Sequence, residues 1–214
     1  MATPSDLSQL GNTKPAEAAP LHAELATHYQ AQKQFDTERV HGHEYGLICI
    51  AAIEGVASGN FASHLHPEVK NKPWYGGVNF KEDPFVLQEG RDQKYTRAQV
   101  WENTKKWLRI YLGGAAADEL LHGITFENNN ALVDDVAKSE ILLHQHHING
   151  EDAKIMIQRA FNKAKQNFID HPKVLDAIRV NSAAREEGLS RALHASEKRL
   201  AGIQGHVKEL INEQ

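Results

Sequence analysis

Apolar residues recur along most of this chain at helical spacing. After a Pro- and Ala-rich stretch over residues 1–20, which reads as a flexible tail, Leu21, Leu25, His28 and Tyr29 open the first helical pattern. A second helix is expected from the N-cap candidate Asp36 through Val40, Leu47, Ile48, Ala51 and Ala52 to about Ser58–Gly59. The pattern then changes. Between Asn60 and Asp92, Pro and Gly become frequent, and the pieces Gly77-Val78-Asn79-Phe80 and Phe85-Val86-Leu87 predict short strands or a hairpin.

Helical spacing resumes at Thr96-Arg97-Ala98-Gln99, which has the form of a capping box, with Val100, Thr104, Trp107, Leu108 and Tyr111 as an inner stripe. Gly113-Gly114 falls inside this pattern and predicts close backbone packing or a break between helices; Gly123 closes the run Leu120-Leu121. A turn at Asn128–Asn130 should lead into a helix from about Ala131 to His147. Another should follow Asn149-Gly150, with Ile157, Phe161, Ala164 and Phe168 on one face. Asp170-His171-Pro172 ends that helix and starts the next, since Pro fits a first helical turn. Beyond Gly188, a last helix from Leu189 to Ile211 carries a partial stripe that would cover the core or form a dimer surface. The fold class that follows is mainly α, with a small β hairpin or short sheet.

Composition narrows the function. Of 214 residues, 41% are hydrophobic and 24% charged, as in an ordinary globular domain, and 24 basic against 28 acidic side chains leave a net charge of −4. Without a clustered basic surface, nucleic acid is not an expected partner. No stretch approaches the roughly 18 apolar residues of a membrane span, and the first twenty residues lack the apolar run of a signal peptide. A soluble, cytoplasmic protein is expected. Cys49 is the only cysteine, which excludes an internal disulfide and a Cys-based zinc site, and it reads as a small apolar filler. Trp74, Tyr75, Trp101 and Trp107 read as packing residues.

The most informative stretch is Val40-His41-Gly42-His43-Glu44-Tyr45-Gly46-Leu47. A zinc metalloprotease helix uses H-E-x-x-H, because residues i and i+4 share a face and can point two imidazoles at one ion. The intervening Glu then acts as base on the metal-bound water. Here His43 and Glu44 are in place, but Leu47 stands at the second histidine position. Taken alone, the His-Glu pair reads as a helix surface or a satisfied histidine. Other histidines offer substitutes. His41 sits three residues before Glu44, which suits either a shared ion or a surface hydrogen bond. His64 and His66, near the expected strands, could approach from outside the helix. The cluster His144-Gln145-His146-His147 lies at a helix end, where histidines are also favoured by the helix dipole.

The order of these segments resembles the peptidase domain of the FtsH-type ATP-dependent zinc metalloproteases. That family has an H-E-x-G-H helix, a variable segment with short strands, and a long helix running into L-G-G-x-x-A-E-E-L-x-x-G. An aspartate segment and a helical C-terminal half follow. This chain has His43-Glu44-Tyr45-Gly46-Leu47, then Leu112-Gly113-Gly114-Ala115-Ala116-Ala117-Asp118-Glu119-Leu120-Leu121-His122-Gly123, then Asp134, then Ile157-Gln158-Arg159-Ala160-Phe161-Asn162-Lys163-Ala164. The resemblance spans roughly residues 21–190, leaving 191–214 as a C-terminal helix packed on the domain or used in oligomerisation.

The resemblance implies an FtsH peptidase-like helical fold, with His43 at the first zinc-ligand position, Glu44 at the catalytic base and Asp134 at the carboxylate ligand. Leu47 matches the remaining ligand and cannot be one. Catalytic zinc usually needs three protein ligands and a water, so the cofactor expectation is none or weakly bound zinc. Neither a P-loop nor a membrane anchor is present in the sequence. The expected function is therefore a stand-alone, catalytically degenerate peptidase-like domain acting as a binding or regulatory module. Its expected partner is a polypeptide or an oligomeric protein partner, a polypeptide being taken by β-pairing on an edge strand at Gly77, Val78, Asn79 and Phe80. The alternative is an active zinc metallopeptidase with a rearranged site built on His43, Asp134 and the base Glu44. A helical structural protein sharing only the fold is a third reading. The family forms hexamers; for this shorter chain the sequence leaves homo-oligomerisation open.

Overall fold

The helix that carries His43 and Glu44 is enclosed on nearly all sides. In the computed structural model, which describes residues 38–65, 74–82, 84, 95–183, 192–195 and 197–213, this helix (α1) covers residues 38–53, and every residue from 42 to 52 is buried. The expected tail, the helix from Leu21, Asp36, His66, the piece Phe85–Leu87 and Gly188 lie outside the described residues. α1 stops five residues earlier than its apolar pattern suggests. Gly55 adopts φ 77°, and the Val56 amide donates back to the Ala51 carbonyl at 2.7 Å, which is the hydrogen bond of a Schellman ending. The chain then enters β1 (Ser58–Leu65), which pairs antiparallel with β2 (Trp74–Phe80).

Four helices follow as their periodicity predicts: α2 (Arg97–Tyr111), α3 (Gly113–His122), α4 (Val133–His144) and α5 (Gly150–Asp170). Thr96 caps α2 with both hydrogen bonds of a capping box, Gln99 N–H to Oγ1 at 3.3 Å and Thr96 N–H to Gln99 Oε1 at 2.8 Å. Two 3₁₀ turns, Phe126–Asn128 and Asn130–Leu132, replace the first turn expected of α4. α6 (Pro172–Ala183) begins on its proline. Among the described residues no helix is long and apolar enough to cross a membrane.

The segment after Gly188 departs from expectation. It contains a strand, β3 (Ala192–Ala195), before the last helix, α7 (Glu197–Asn212). β3 pairs antiparallel with β1, giving a three-stranded sheet in the order β2-β1-β3. A four-residue strand is held by main-chain pairing to a partner over a hundred positions away in sequence, so local side-chain periodicity does not announce it. α7 lies against β1 and α6 and contributes the buried Val207 to the core. Its buried Gln204 reads the backbone at the start of β1: Oε1 accepts from Ser58 N–H at 3.1 Å, and Nε2 donates to the Val56 carbonyl at 2.9 Å.

The core joins α1 to α2 and α5 through Tyr45, Ile48, Ile50, Trp107, Leu108, Phe161 and Phe168, and includes Ala116 of α3 and Ile178 of α6. Phe80 of β2 meets Trp107 edge-on at 5.3 Å between ring centroids, which ties the sheet to α2. Arg109 grips Glu54 with two hydrogen bonds, of 2.5 and 2.8 Å, at the end of α1.

Gly113-Gly114 satisfies both expectations at once. The helical path breaks at Leu112, and α3 restarts in backbone contact with α1. A Cβ on Gly46 would lie 2.6 Å from the Gly113 carbonyl oxygen and 2.8 Å from Ala117 Cβ; one on Gly114 would lie 2.5 Å from His43 Nε2. Both helices have rigid groups at this contact, so neither can yield cheaply. Gly46→Ala is expected to lower unfolding free energy by about 1–3 kcal/mol, as overpacking does. Gly205→Ala on α7, where a Cβ meets nothing within 4 Å, should be neutral or stabilise by up to about 1 kcal/mol. Urea denaturation of the two variants checks the contrast, and equal effects would contradict the close approach.

Candidate functional site

α1 projects His43 towards the facing carboxylates of α3 and α4. His43 Nδ1 lies 2.9 Å from Asp118 Oδ2, and Nε2 lies 3.1 Å from Asp135 Oδ2. All three side chains are buried, with 6%, 0% and 7% exposure. A neutral imidazole has one N–H and one lone pair, so it can donate to only one carboxylate. With a carboxylate on each nitrogen, the doubly protonated ring is the form that donates to both. Burial alone would push its pKa down; the charge and hydrogen bond of Asp118, then those of Asp135, overcome this and hold it well above the ordinary histidine value.

The network extends outward from both carboxylates. Asn129, buried between the two 3₁₀ turns, donates through Nδ2 to Asp118 Oδ2 at 2.7 Å, and its Oδ1 accepts from Arg39 Nη2 and Ala131 N–H, each at 3.0 Å. Lys138, one turn along α4, lies 3.4 Å from Asp135 Oδ1, while Ser139 Oγ donates to the Asp135 carbonyl at 2.7 Å. Two buried oxygens, Glu44 Oε2 and Asp118 Oδ1, have no hydrogen-bond partner among the described residues.

Glu44 differs from its neighbours. Burial raises its pKa to about 7; the nearby His43 charge opposes that, and Asp135 and Asp118 reinforce it. Near neutral pH it therefore holds a proton for about half the time, as a group suited to acid–base exchange would. His41 and His122, flanking the same region, are both pushed below the ordinary histidine value, by burial first.

The expected site residues are distributed as follows. His43 and Glu44 are together and buried, and Leu47 is buried on the same helix at 5% exposure. Asp134, matched by resemblance to the carboxylate ligand, is exposed; the carboxylate that faces His43 is its neighbour Asp135. The physical reason is the helix itself, in which adjacent residues differ by about 100° and only one can face α1. Asp118 was not among the expected site residues at all. The signals for both were present: Asp118 interrupts a run of small apolar residues, and Asp135 falls on the inward stripe with Leu132, Ser139, Leu142 and Leu143.

The remaining histidines are elsewhere. His146 Nε2 bonds Thr104 Oγ1 at 2.7 Å and His144 Nδ1 bonds Asn149 Oδ1 at 2.6 Å, about 13 Å along α4 from Asp135. His147 is exposed with φ 59°, and His64 lies within β1. Gly77, Val78, Asn79 and Phe80 lie on β2, at one edge of the sheet.

As placed, these side chains do not form a three-ligand zinc site. Both ring nitrogens of His43 face carboxylates rather than open space, Leu47 offers no lone pair, and among the described residues no three His, Cys, Asp or Glu side chains converge as a metal site would require. Compared with protein-family models and with curated proteins, the chain gives no match.

The pKa of Glu44 sets a pH signature. Between its ordinary value of 4.5 and about 7, the folded chain holds a proton that the unfolded chain has released, so stability falls as pH rises through that window. The loss attributable to Glu44 is up to about 3 kcal/mol above pH 7. Glu44→Gln should therefore gain stability relative to the native chain as pH is raised from 4.5 to 8. Urea unfolding across that range measures the difference; a difference independent of pH would contradict the buried, proton-holding Glu44.

Proposed function

We propose that this chain is a non-hydrolytic domain of the FtsH-peptidase-like type, acting in the cytoplasm as a polypeptide-binding or regulatory module. In this reading the place of the catalytic metal is taken by a closed ion network. The observation that carries it is the double engagement of His43 by Asp118 and Asp135, with Leu47 buried one turn away. The segment order adds support: the His43-Glu44 helix meets Gly113-Gly114 through Gly46, and the next acidic helix supplies a carboxylate to His43. For binding, the candidate is β-pairing of an extended peptide with β2, the outer strand in the order β2-β1-β3, at Gly77, Val78 and Phe80.

One observation favours a second reading, an active metallopeptidase with a rearranged site: Glu44 is buried, has an unpartnered oxygen and titrates near neutrality, as a general base should. Zinc content separates the two. The native chain, purified untagged after zinc supplementation, is expected to hold no stoichiometric zinc and to cleave no peptide, whereas Leu47→His should take up about one equivalent by restoring the third ligand. Stoichiometric zinc in the native chain, with peptide cleavage abolished by Glu44→Gln, would establish the active reading instead. Failure of both proteins to bind zinc would count against the FtsH-like arrangement itself.

A further inference from the structure

On the side of α1 away from His43, a half-open cavity of about 280 Å³ lies between α1, α6 and α7. Tyr45, Cys49, Ile178, Ile203 and Val207 supply most of its apolar lining. Burial pushes the Cys49 thiol up to about 12, so it remains a neutral wall atom and no covalent chemistry is expected from it. Two polar residues, Asn181 and His206, also line it. Asn181 Nδ2 donates to the Ala177 carbonyl at 2.7 Å, which leaves Oδ1 as an acceptor with no donor among the described residues.

Gly202 also lines the cavity, and it is unusual for its place. It lies inside α7, where glycine weakens a helix by roughly 1 kcal/mol relative to alanine, yet an added Cβ there would meet nothing within 4 Å. No backbone approach or turn requires glycine at this position. What its missing side chain provides is room on the α7 side of the cavity. An apolar cavity of about 150 Å³ already admits a benzene-sized guest, so this one is large enough for a bicyclic ring.

We propose that this cavity binds a small, uncharged, mainly apolar molecule of indole size that carries one N–H or O–H donor for Asn181 Oδ1. The lining has no Lys, Arg, Asp or Glu, and its one imidazole, His206, is 58% exposed and already lies 3.6 Å from Glu209 Oε2, so no buried cation is there to hold a nucleotide or carboxylic acid. The site is separate from the His43 network and does not depend on the peptidase-like reading.

Indole is the probe, titrated into the ¹⁵N-labelled full chain and followed by amide chemical shifts. Saturable shifts are expected at Tyr45, Cys49, Gly202 and Val207, with a dissociation constant on the order of 0.1–1 mM for so small a ligand. Gly202→Leu, whose side chain enters open space on a helix that leucine favours, should keep the fold and weaken binding at least about tenfold. 1-Methylindole, which lacks the donor, should bind several-fold more weakly than indole. Unsaturable or scattered shifts would overturn the proposal, as would undiminished binding by a folded Gly202→Leu chain. Equal binding of the two indoles would overturn the role given to Asn181.

Discussion

One buried imidazolium, held between carboxylates from two other helices, fixes the geometry of the centre of this protein. Removing ionisable groups from water is costly, and their mutual attraction offsets that cost only when each hydrogen bond is well made. His43 can reach Asp118 and Asp135 together only if α1 approaches α3 at backbone contact, and Gly46, Gly113 and Gly114 permit that approach. Asn129 and Arg39 then extend the network to the 3₁₀ turns that lead into α4. The small residues, the turn chemistry and the position of α4 are thus parts of one constraint.

That constraint also shapes what the site can do. A zinc-binding histidine presents a lone pair to the ion and usually gives its other nitrogen to a carboxylate. Here both nitrogens face carboxylates, an arrangement that favours the doubly protonated ring. Leu47, buried one turn along α1, offers no donor atom, and Glu44 keeps a titrating carboxyl beside the network. The proposal of a binding module rests on this closed network around His43.

Much of this arrangement was legible in the sequence because it is local. Capping at Thr96, the proline start of α6, the helical stripes and the break at Gly113 each depend on neighbours within a few residues. The paired glycines even signalled a close approach, though not the helix approached. What was not legible depends on long-range placement. Asp134 and Asp135 are indistinguishable as a pair of acids, and only the inward stripe of α4 separates them. β3 lacks a pattern of its own because β1 imposes its pairing, and the end of α1 turned on the left-handed Gly55 rather than on apolar spacing.

The protonation of His43 is the point on which the account stands, and nitrogen NMR of the histidine side chains reads it directly. At pH 7, without added metal, the His43 ring is predicted to show protonated nitrogens at both Nδ1 and Nε2, with neither signal displaced by zinc. A ring with one unprotonated nitrogen, or a nitrogen signal that moves on stoichiometric zinc addition, would contradict it.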